Sequence, residues 1–400
     1  MDSASGTTAK ISREELVERA RALIPSLQTE AEAAEQRRMI APETIAALRE
    51  TGMFRILQPE RFGGFEYDFG MVIRINSEIG RGCPSTAWVS GLGMTHQWIV
   101  SGFPLQAQED VWGDDPGAIT YGSYAPIVEA KQVDGGWVIS GSWPFASGCD
   151  HGQWGLLGAR FPGAGADGGV APGFVLVPAA DYSIHDDWFT NGLIATGSKS
   201  IVCDDVFVPS HRQLLFADVM SGNSPGYKAS GRSLYGIPMF AGIPTAISGP
   251  ALGALHGAID EFIEITRVRK TRGMRAGGRV ADFAAVQSAV ALASVALDSG
   301  KLMILRDLEE THEAAEAGRE ITPEMRIRNR LTQGYLVRQA VMGIDALYRV
   351  TGVAGINRGN RVERAWRDIH AISHHITLNW DIVSTLCGQH MLGLDPPAHY

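Results

Sequence analysis

Residues 133–151 read VDGGWVISGSWPFASGCDH, and this stretch decides the fold class of the central part of the chain. The tripeptide DGG at 134–136 separates two runs of strand-forming residues, which is the pattern of a β-hairpin. Further strand-forming runs follow at 174–177 and 200–208. The central third of the sequence is therefore predicted to be all β.

Helical periodicity marks the segments on both sides of this β region. On the N-terminal side, Ser12 and Glu15 form a capping-box pattern, and Pro42 and Pro84 suit the first turn of a helix. On the C-terminal side, four long helical patterns with short connections are typical of a helical bundle; they cover residues 238–270, 280–317, 323–351 and 361–391.

The order of these segments predicts an α+β multidomain fold. The changes of pattern place an N-terminal helical domain at 1–115, a central β-domain at 116–228 and a C-terminal four-helix bundle at 229–400. A chain of 400 residues is long enough for two or three domains, with a sizeable core.

Composition and charge argue against several classes of protein. The 45% hydrophobic and 20% charged residues are an ordinary globular balance, unlike that of a disordered chain or a coiled coil. A net charge of −9 argues against a nucleic-acid backbone or an anionic membrane as the main partner. The four cysteines form no CxxC pair, which argues against a zinc ribbon or a disulfide framework. Free thiols fit a cytoplasmic location, and the sequence MDSASGTTAKISREEL at 1–16 has no apolar segment typical of a signal peptide.

Two uncharged stretches, 82–108 and 233–259, exceed the roughly 20 residues that span a bilayer. Both are interrupted by prolines, and the first also contains His96 and Gln97. We expect them to be buried helices beside a cavity rather than membrane spans.

Two glycine-rich motifs are expected to be ordinary connections. GAGADG at 163–168 matches a dinucleotide fingerprint, but another strand follows it where that fingerprint requires a helix. GNSPG at 222–226 matches a nucleophile elbow, but polar, glycine-rich sequence surrounds it instead of a strand and a helix. The sequence therefore predicts neither a nicotinamide site nor a hydrolase.

Histidines near the C-terminus are candidates for chemistry. His370 and His374 are four residues apart, a possible metal pair, although the glutamate of an HExxH motif is absent. His375 and Asn379 are predicted to share one face of the long final helix. His375 is either a titratable group facing a cavity or a satisfied buried histidine, and the pattern leaves both open.

The strand end at Trp143 to Ser147 is a second candidate. A tryptophan and a small hydroxyl residue before Gly148 suit a flat aromatic ligand, but an ordinary strand end has the same composition.

Over essentially its whole length the chain resembles the acyl-CoA dehydrogenase fold, and within it the oxygenase components of two-component flavin-dependent monooxygenases, most of all the 4-hydroxyphenylacetate and hydroxy-secosteroid hydroxylase branch. The resemblance is carried by LQPERFGG (57–64), CPSTAWV (83–89), GSYAP (122–126), residues 133–151, GLIATGS (192–198), VFVP (206–209) and WRD (366–368) with His375 eight residues after Arg367. GSYAP together with SGCDH is fairly specific to the oxygenase branch.

The resemblance implies a reaction, its cofactors and its partners. Reduced FMN or FAD would react with O2 to a C4a-hydroperoxide, which would hydroxylate a phenolic ring. A separate NAD(P)H:flavin reductase would supply the reduced flavin, because the chain has no nicotinamide-binding signature. The family also implies a homotetramer with the flavin between the β-domain and the bundle, and no metal.

The resemblance also implies roles for individual residues. His96 and Ser123 would bind the phenol oxygen, with His96 sharing its proton. Ser147 would lie near flavin N5 and C4a, with His375 on the other side of the pocket. The remaining expected contacts are Trp143 and Ser198 with the flavin and Asn379 with the substrate.

Three alternatives stay open at this point. One is a flavin-free relative that serves as a binding or structural subunit, although Ser147 and Trp143 argue against it. Flavin monooxygenases of the same fold also oxygenate sulfur, nitrogen or indole, although His96 and Ser123 together favour a phenol. An acyl-CoA dehydrogenase would need a glutamate base, but this chain has no glutamate after Glu363 and none between Ser230 and Asp260.

Overall fold

The computed structural model describes residues 10–272 and 277–394, which form helices, then two β-sheets, then helices again. This order confirms the predicted α+β architecture. The boundaries drawn at 115/116 and 228/229 stay a prediction, and all eight strands lie between them. The stretch 1–9, part of the segment used to predict that no signal peptide is present, lies outside the described residues.

Six helices precede the sheets, and their starts follow the local signals in the sequence. The Ser12 side chain accepts a hydrogen bond from the Glu15 N–H, and Pro42 and Pro84 lie in the first turns of their helices. The helices are α1 (Arg13–Ala22), α2 (Ile24–Arg37), α3 (Pro42–Glu50), α4 (Phe69–Gly82), α5 (Pro84–Gly102) and α6 (Leu105–Trp112).

Eight strands form two four-stranded sheets. One sheet has the order β1-β4-β5-β8 and the other β2-β3-β7-β6; β1 and β4 are parallel and the other neighbours antiparallel. The predicted hairpin is present, with Val133 paired to Gly136 across the DGG turn. The strands are β1 (Thr120–Glu129), β2 (Lys131–Val133), β3 (Gly136–Ala146), β4 (Trp154–Phe161), β5 (Ala171–Pro178), β6 (Ser183–His185), β7 (Lys199–Pro209) and β8 (Gln213–Leu215).

Within the described residues eight helices follow the sheets; α11 and α12 begin and end close to the predicted limits, whereas the pattern predicted from 238 becomes a long helix only at Thr245. They are α7 (Phe216–Met220), α8 (Pro225–Ser230), α9 (Met239–Gly242), α10 (Thr245–Val268), α11 (Ala284–Glu316), α12 (Pro323–Val350), α13 (Arg361–Ser373) and α14 (Trp380–Met391). The two uncharged stretches of the sequence form the largely buried helices α5 and α10, as expected.

The single final helix predicted over 361–391 is wrong, because the chain leaves the helix after Ser373. His375 Nδ1 accepts a hydrogen bond from the Thr377 N–H (3.2 Å), and the Asn379 side chain caps the next helix. These side-chain acceptors take the hydrogen bonds of backbone N–H groups that, in a continuous helix, would donate to backbone carbonyls.

Helix α10 fixes the position of α5 by crossing the preceding helix α4 at very short range. A Cβ on Gly253 of α10 would lie 2.6 Å from the Cα of Gly80 on α4, so only glycine permits this approach. Helix α5 also packs against α10 and α4, and its residues are almost all buried. Helix α5, which carries Trp88 and His96, is therefore held rigidly.

The glycine-rich motifs have structural roles, as expected. Residues 163–168 lie in the loop that joins the antiparallel strands β4 and β5. Ser224 caps α8, accepting a hydrogen bond from the Tyr227 N–H. His370 lies 2.9 Å from Asp345, and no group of three or more potential metal ligands occurs within 10–272 and 277–394.

One helix of the described part of the chain, α11, is long and apolar enough to cross a membrane by length and composition alone. Core helices of soluble proteins pass the same test. In the most apolar 18-residue stretch of α11, 33% of the residues are buried. Much of its apolar surface therefore faces outward from the isolated chain.

Candidate active site

His96 is fully buried on α5 and is tied to the first strand of the β-domain. Its Nδ1 lies 2.7 Å from the Thr120 carbonyl oxygen. Because a carbonyl can only accept, Nδ1 carries the proton and Nε2 presents a lone pair. Nε2 is buried and has no hydrogen-bond partner among the described residues. Burial lowers the pKa of His96 to about 4, so the ring is neutral at pH 7.

Strand β1 brings Ser123 to the same region. The aromatic rings of Tyr121 and Tyr124, on either side of Ser123 in sequence, lie 6.1 and 5.4 Å from the His96 ring between centroids. Ser123 is buried, and its hydroxyl makes no hydrogen bond with any other described residue. The structure thus brings the two predicted phenol-binding residues to one end of β1.

Ser147 lies in a continuous row of buried hydroxyl groups. Its Oγ is 2.6 Å from Ser198 Oγ, which is in turn 2.6 Å from Thr196 Oγ1. The Trp88 indole N–H on α5 donates to Ser147 Oγ over 3.0 Å. Ser147 and Ser198, both predicted from the sequence, are therefore in direct contact, while Thr196 and Trp88 are members of the row that were not predicted.

Trp143, which was predicted to pack on the flavin, has no exposed ring surface, and its burial contradicts that contact. The side chain is completely buried between the sheets, and its indole N–H donates to the Gly158 carbonyl (2.7 Å). No face of the ring is left for a ligand. Trp143 is a core residue of the β-domain.

Phe145 is an exposed aromatic residue at the end of β3, and the sequence did not single it out. It is 70% exposed and has a left-handed backbone with φ of 64°, an unusual conformation for a non-glycine residue. In a regular strand Phe145 would share a face with Trp143, but the register shifts between Trp143 and Ala146 and turns it outward. Its ring meets Trp188 edge to face at 6.3 Å.

His375 lies next to the hydroxyl row from the bundle side. Its ring is 5.7 Å from the Trp88 ring and approaches it edge on. Because the Thr377 N–H donates to Nδ1, the neutral ring carries its proton on Nε2. Burial, reinforced by the positive charge of Arg330, lowers the pKa of His375 to about 4.

Asn379 is engaged in the local backbone. Its Oδ1 accepts hydrogen bonds from the N–H groups of Asp381 and Ile382 at the start of α14. Because the helix is broken, Asn379 does not share a helical face with His375. A contact between Asn379 and the substrate stays a prediction. Because its Oδ1 is already occupied, only the amide N–H groups are available for that contact.

Helix α5 connects the two groups of residues. Trp88 and His96 are eight residues apart on it, which corresponds to about 12 Å along the axis. The exposed ring of Phe145 beside the hydroxyl of Ser147 fits one end of a flat isoalloxazine ring. The orphaned acceptor of His96 fits a hydroxylated substrate at the other end.

Comparisons with known proteins show the family to which this fold belongs. Residues 12–112 match the acyl-CoA dehydrogenase N-terminal domain, and residues 245–380 match the acyl-CoA dehydrogenase C-terminal domain. The chain is 41% identical to the FADH(2)-dependent resorcinol hydroxylase, oxygenase component, of a Rhizobium species, with 96% of each chain covered.

Solved structures show the same relationship. The crystal structure of a 3-HSA hydroxylase from Rhodococcus superposes with a TM-score of 0.91 at 34% identity, covering 96% of this chain and 98% of the other. XiaF from Streptomyces, solved with FADH2 and glycerol, gives a TM-score of 0.88 at 27% identity and covers 96% and 97% of the two chains.

These relatives also settle the choice between branches. Over nearly its whole length this chain matches oxygenase components, which depend on reduced flavin and receive it from a separate reductase. The alternative of a sulfur, nitrogen or indole oxygenase is not favoured. The chain belongs to the oxygenase components of two-component flavin-dependent aromatic monooxygenases, a branch of the acyl-CoA dehydrogenase fold.

Proposed function

We propose that this enzyme hydroxylates a small phenol, with O2 as the oxygen donor and reduced FAD as the flavin. The observation that carries the choice of a phenol is the buried, unpartnered Nε2 of His96. A buried acceptor without a partner costs free energy, and a substrate O–H supplies the missing donor. The 41% identity to a resorcinol hydroxylase supports the same substrate class.

His96 acts as a neutral acceptor. The Thr120 carbonyl holds its proton on Nδ1, so Nε2 is fixed toward its ligand. With its pKa lowered to about 4, His96 does not take up a proton from water at pH 7, and it shares the phenol proton instead. Sharing that proton enriches the ring in electrons, which favours attack on an electrophilic oxygen. The Ser123 hydroxyl fixes the phenol oxygen from the strand side.

Phe145, Ser147 and Ser198 form the proposed flavin contact. The bound reduced flavin supplies the activation of O2 and the transfer of one oxygen atom. The protein's task is to exclude water and to hold polar atoms in place. His375 contributes an Nε2–H donor on the other side of Trp88, where it stabilises negative charge that develops on oxygen.

The decisive experiment measures O2 uptake with enzymatically reduced FAD, or FMN, and scores hydroxylated product against H2O2. Resorcinol and other phenols are each compared with their methyl ethers, which have the same ring but no O–H. We expect product from the phenols and mainly H2O2 from the ethers. Equal coupling with both members of a pair contradicts the proposed role of His96.

We propose a homotetramer. The apolar side chains of Leu292, Val295 and Leu302 are exposed on α11, and their spacing of three and seven residues places them on one face. Burying this face against a second copy removes apolar surface from water. Light scattering is expected to give about 170 kDa, four copies of the 43.0 kDa chain, and a stable monomer contradicts the proposal.

We propose that the reductase uses NAD(P)H and that both proteins work in the cytoplasm. All four cysteines are free thiols, which fits a reducing compartment. Pure protein mixed with NADH and FAD is expected to leave the absorbance at 340 nm unchanged until a flavin reductase is added. Rapid NADH oxidation without the reductase, or recovery of the protein outside the cytoplasmic fraction, contradicts these proposals.

A further inference from the structure

The direction of every hydrogen bond in the row at Ser147 follows from its two ends. At one end the Thr196 hydroxyl lies 2.8 Å from the Leu193 carbonyl oxygen, which can only accept. Thr196 has a single proton, so it donates that proton to Leu193. In its contact with Ser198, Thr196 is therefore the acceptor.

The acceptors of the Ser198 and Ser147 hydroxyl protons follow from that assignment. Ser198 donates to Thr196 and has no second proton, so it accepts from Ser147 over 2.6 Å. The Trp88 N–H can only donate, and it occupies one lone pair of Ser147. Ser147 is left with its proton committed and one lone pair free.

The far end of the row is anchored by the bundle. The Leu193 N–H donates to Oδ1 of the buried Asp368 on α13 over 2.6 Å, and the Trp188 indole N–H donates to the Leu193 carbonyl over 3.1 Å. Leu193 has a φ of 52°, a conformation that a leucine keeps only when its surroundings impose it. The backbone of Leu193 is thus held on its N–H side by α13 and on its carbonyl side by Trp188 of the same β6–β7 connection.

We propose that Thr196, through Ser198, makes Ser147 an obligate hydrogen-bond acceptor toward the flavin, so that the site selects reduced over oxidised flavin. The inference rests on the proposed contact of Ser147 with flavin N5. Reduced flavin has a hydrogen on N5 and meets the free lone pair of Ser147 as a donor. Oxidised flavin has only a lone pair on N5, so two acceptors face each other. Thr196 acts through Ser147 and is a positioning residue.

The size of the selection follows from the cost of an unpaired acceptor. Leaving one buried polar atom unsatisfied typically weakens binding about 5- to 100-fold. We therefore expect the Kd of oxidised FAD to exceed the Kd of reduced FAD by roughly that factor. Tighter binding of reduced FAD favours uptake of the form that a separate reductase delivers. Weaker binding of oxidised FAD favours its release after turnover.

The test measures both dissociation constants by anaerobic calorimetry, with FAD and with dithionite-reduced FAD. Thr196→Val has the same shape but no hydroxyl, so Ser198 can turn its proton to Ser147 and free the Ser147 proton for oxidised N5. The ratio of the two constants is expected to fall several-fold toward one. Thr196→Ser restores the hydroxyl and is expected to restore the ratio.

Two further variants test the same row of hydrogen bonds at other positions, so the result does not depend on whether Thr196→Val folds. Ser198→Ala removes the acceptor of the Ser147 proton and is expected to lower the ratio as Thr196→Val does. Trp88→Phe removes a donor without changing the direction of the row, so the ratio is expected to persist.

The outcomes separate this inference from the proposed function. Wild-type protein that binds neither form of flavin contradicts the proposed function. Wild-type protein that binds both forms equally, or a Thr196→Val protein that binds flavin with the full ratio, contradicts the inference about Thr196 alone.

Discussion

His96 and His375 lie in different parts of the site, one within α5 and the other in the connection between α13 and α14. Desolvation lowers the pKa of both to about 4. The backbone contacts Nδ1 in both rings but in opposite roles, since Nδ1 of His96 donates to a carbonyl while Nδ1 of His375 accepts from an N–H. One neutral ring therefore offers an acceptor and the other a donor.

Burial therefore decides the charge of a histidine, while its backbone hydrogen-bond partner decides whether the free ring nitrogen accepts or donates. His96 is surrounded by rigid helix and strand, which suits an atom that must orient a substrate. His375 is half-buried in a short connection beside the exposed Ile376. That position suits a donor that adjusts as charge develops during the reaction. The following predictions test this contrast.

The largest effect is expected at His375. His375→Ala removes the Nε2–H donor, and loss of a proton-transfer group typically slows a reaction about 10²–10⁴-fold. Product formation is expected to fall within that range while H2O2 release replaces it and reduced flavin still binds. The exposed neighbour His374 provides a matched control, because His374→Ala leaves the donor in place. If coupled turnover is unchanged in His375→Ala, His375 has no role in the reaction and is only a core residue.

His96→Asn is expected to slow product formation by about 10²-fold, at the lower end of the range for proton-transfer groups. The asparagine amide can still donate to the Thr120 carbonyl, but the acceptor at Nε2 is gone. The rate of the variant should therefore rise as the pH approaches the pKa of the phenol itself, whereas the wild-type rate should not. Equal pH profiles refute proton sharing by His96.

A third prediction concerns stability against pH. The folded state holds the His96 pKa at about 4, but in the unfolded chain it returns to about 6.5. The unfolded state thus binds the proton more tightly, so His96 lowers stability as pH falls from about 6.5 toward 4. Between pH 7 and 5 the loss amounts to about 2 kcal/mol.

The urea midpoint of wild-type protein should therefore drop more between pH 7 and pH 5 than that of His96→Asn. The same comparison with His375→Ala should show a difference of the same sign, because burial lowers the pKa of His375 as well. If His96→Asn loses as much stability as the wild type over this interval, the low pKa of His96 is wrong.

The smallest effect is expected at Ser123. Ser123→Ala removes one hydrogen bond to the phenol oxygen, so the Kd of the phenol should rise about 10-fold. Reduced flavin binding should not change, because Ser123 lies on the substrate side of the site with His96. If flavin binding weakens while phenol binding stays the same, Ser123 belongs to the cofactor site.

The elements of the fold could be predicted because their signals are local. Ser12 and Glu15 start a helix, the DGG turn closes a hairpin, and the long helical patterns over 280–317 and 323–351 match α11 and α12 within a few residues. Each signal acts over one or two turns, so it survives in the sequence without knowledge of the fold. Among the candidate residues, Ser147 and His375 were indicated by local patterns, whereas His96 and the chemical roles of all three came from the resemblance.

Local sequence patterns indicate which side chains are available and in what order the helices and strands follow. The tertiary structure decided what those side chains present: a shift of strand register exposed Phe145 and buried Trp143, and a break in the last helix took Asn379 into a cap. The polarity of His96 depends on a carbonyl 24 residues away, on another element. Hydrogen-bond direction is set by whichever donor or acceptor the fold brings within 3 Å, and no local pattern encodes that neighbour.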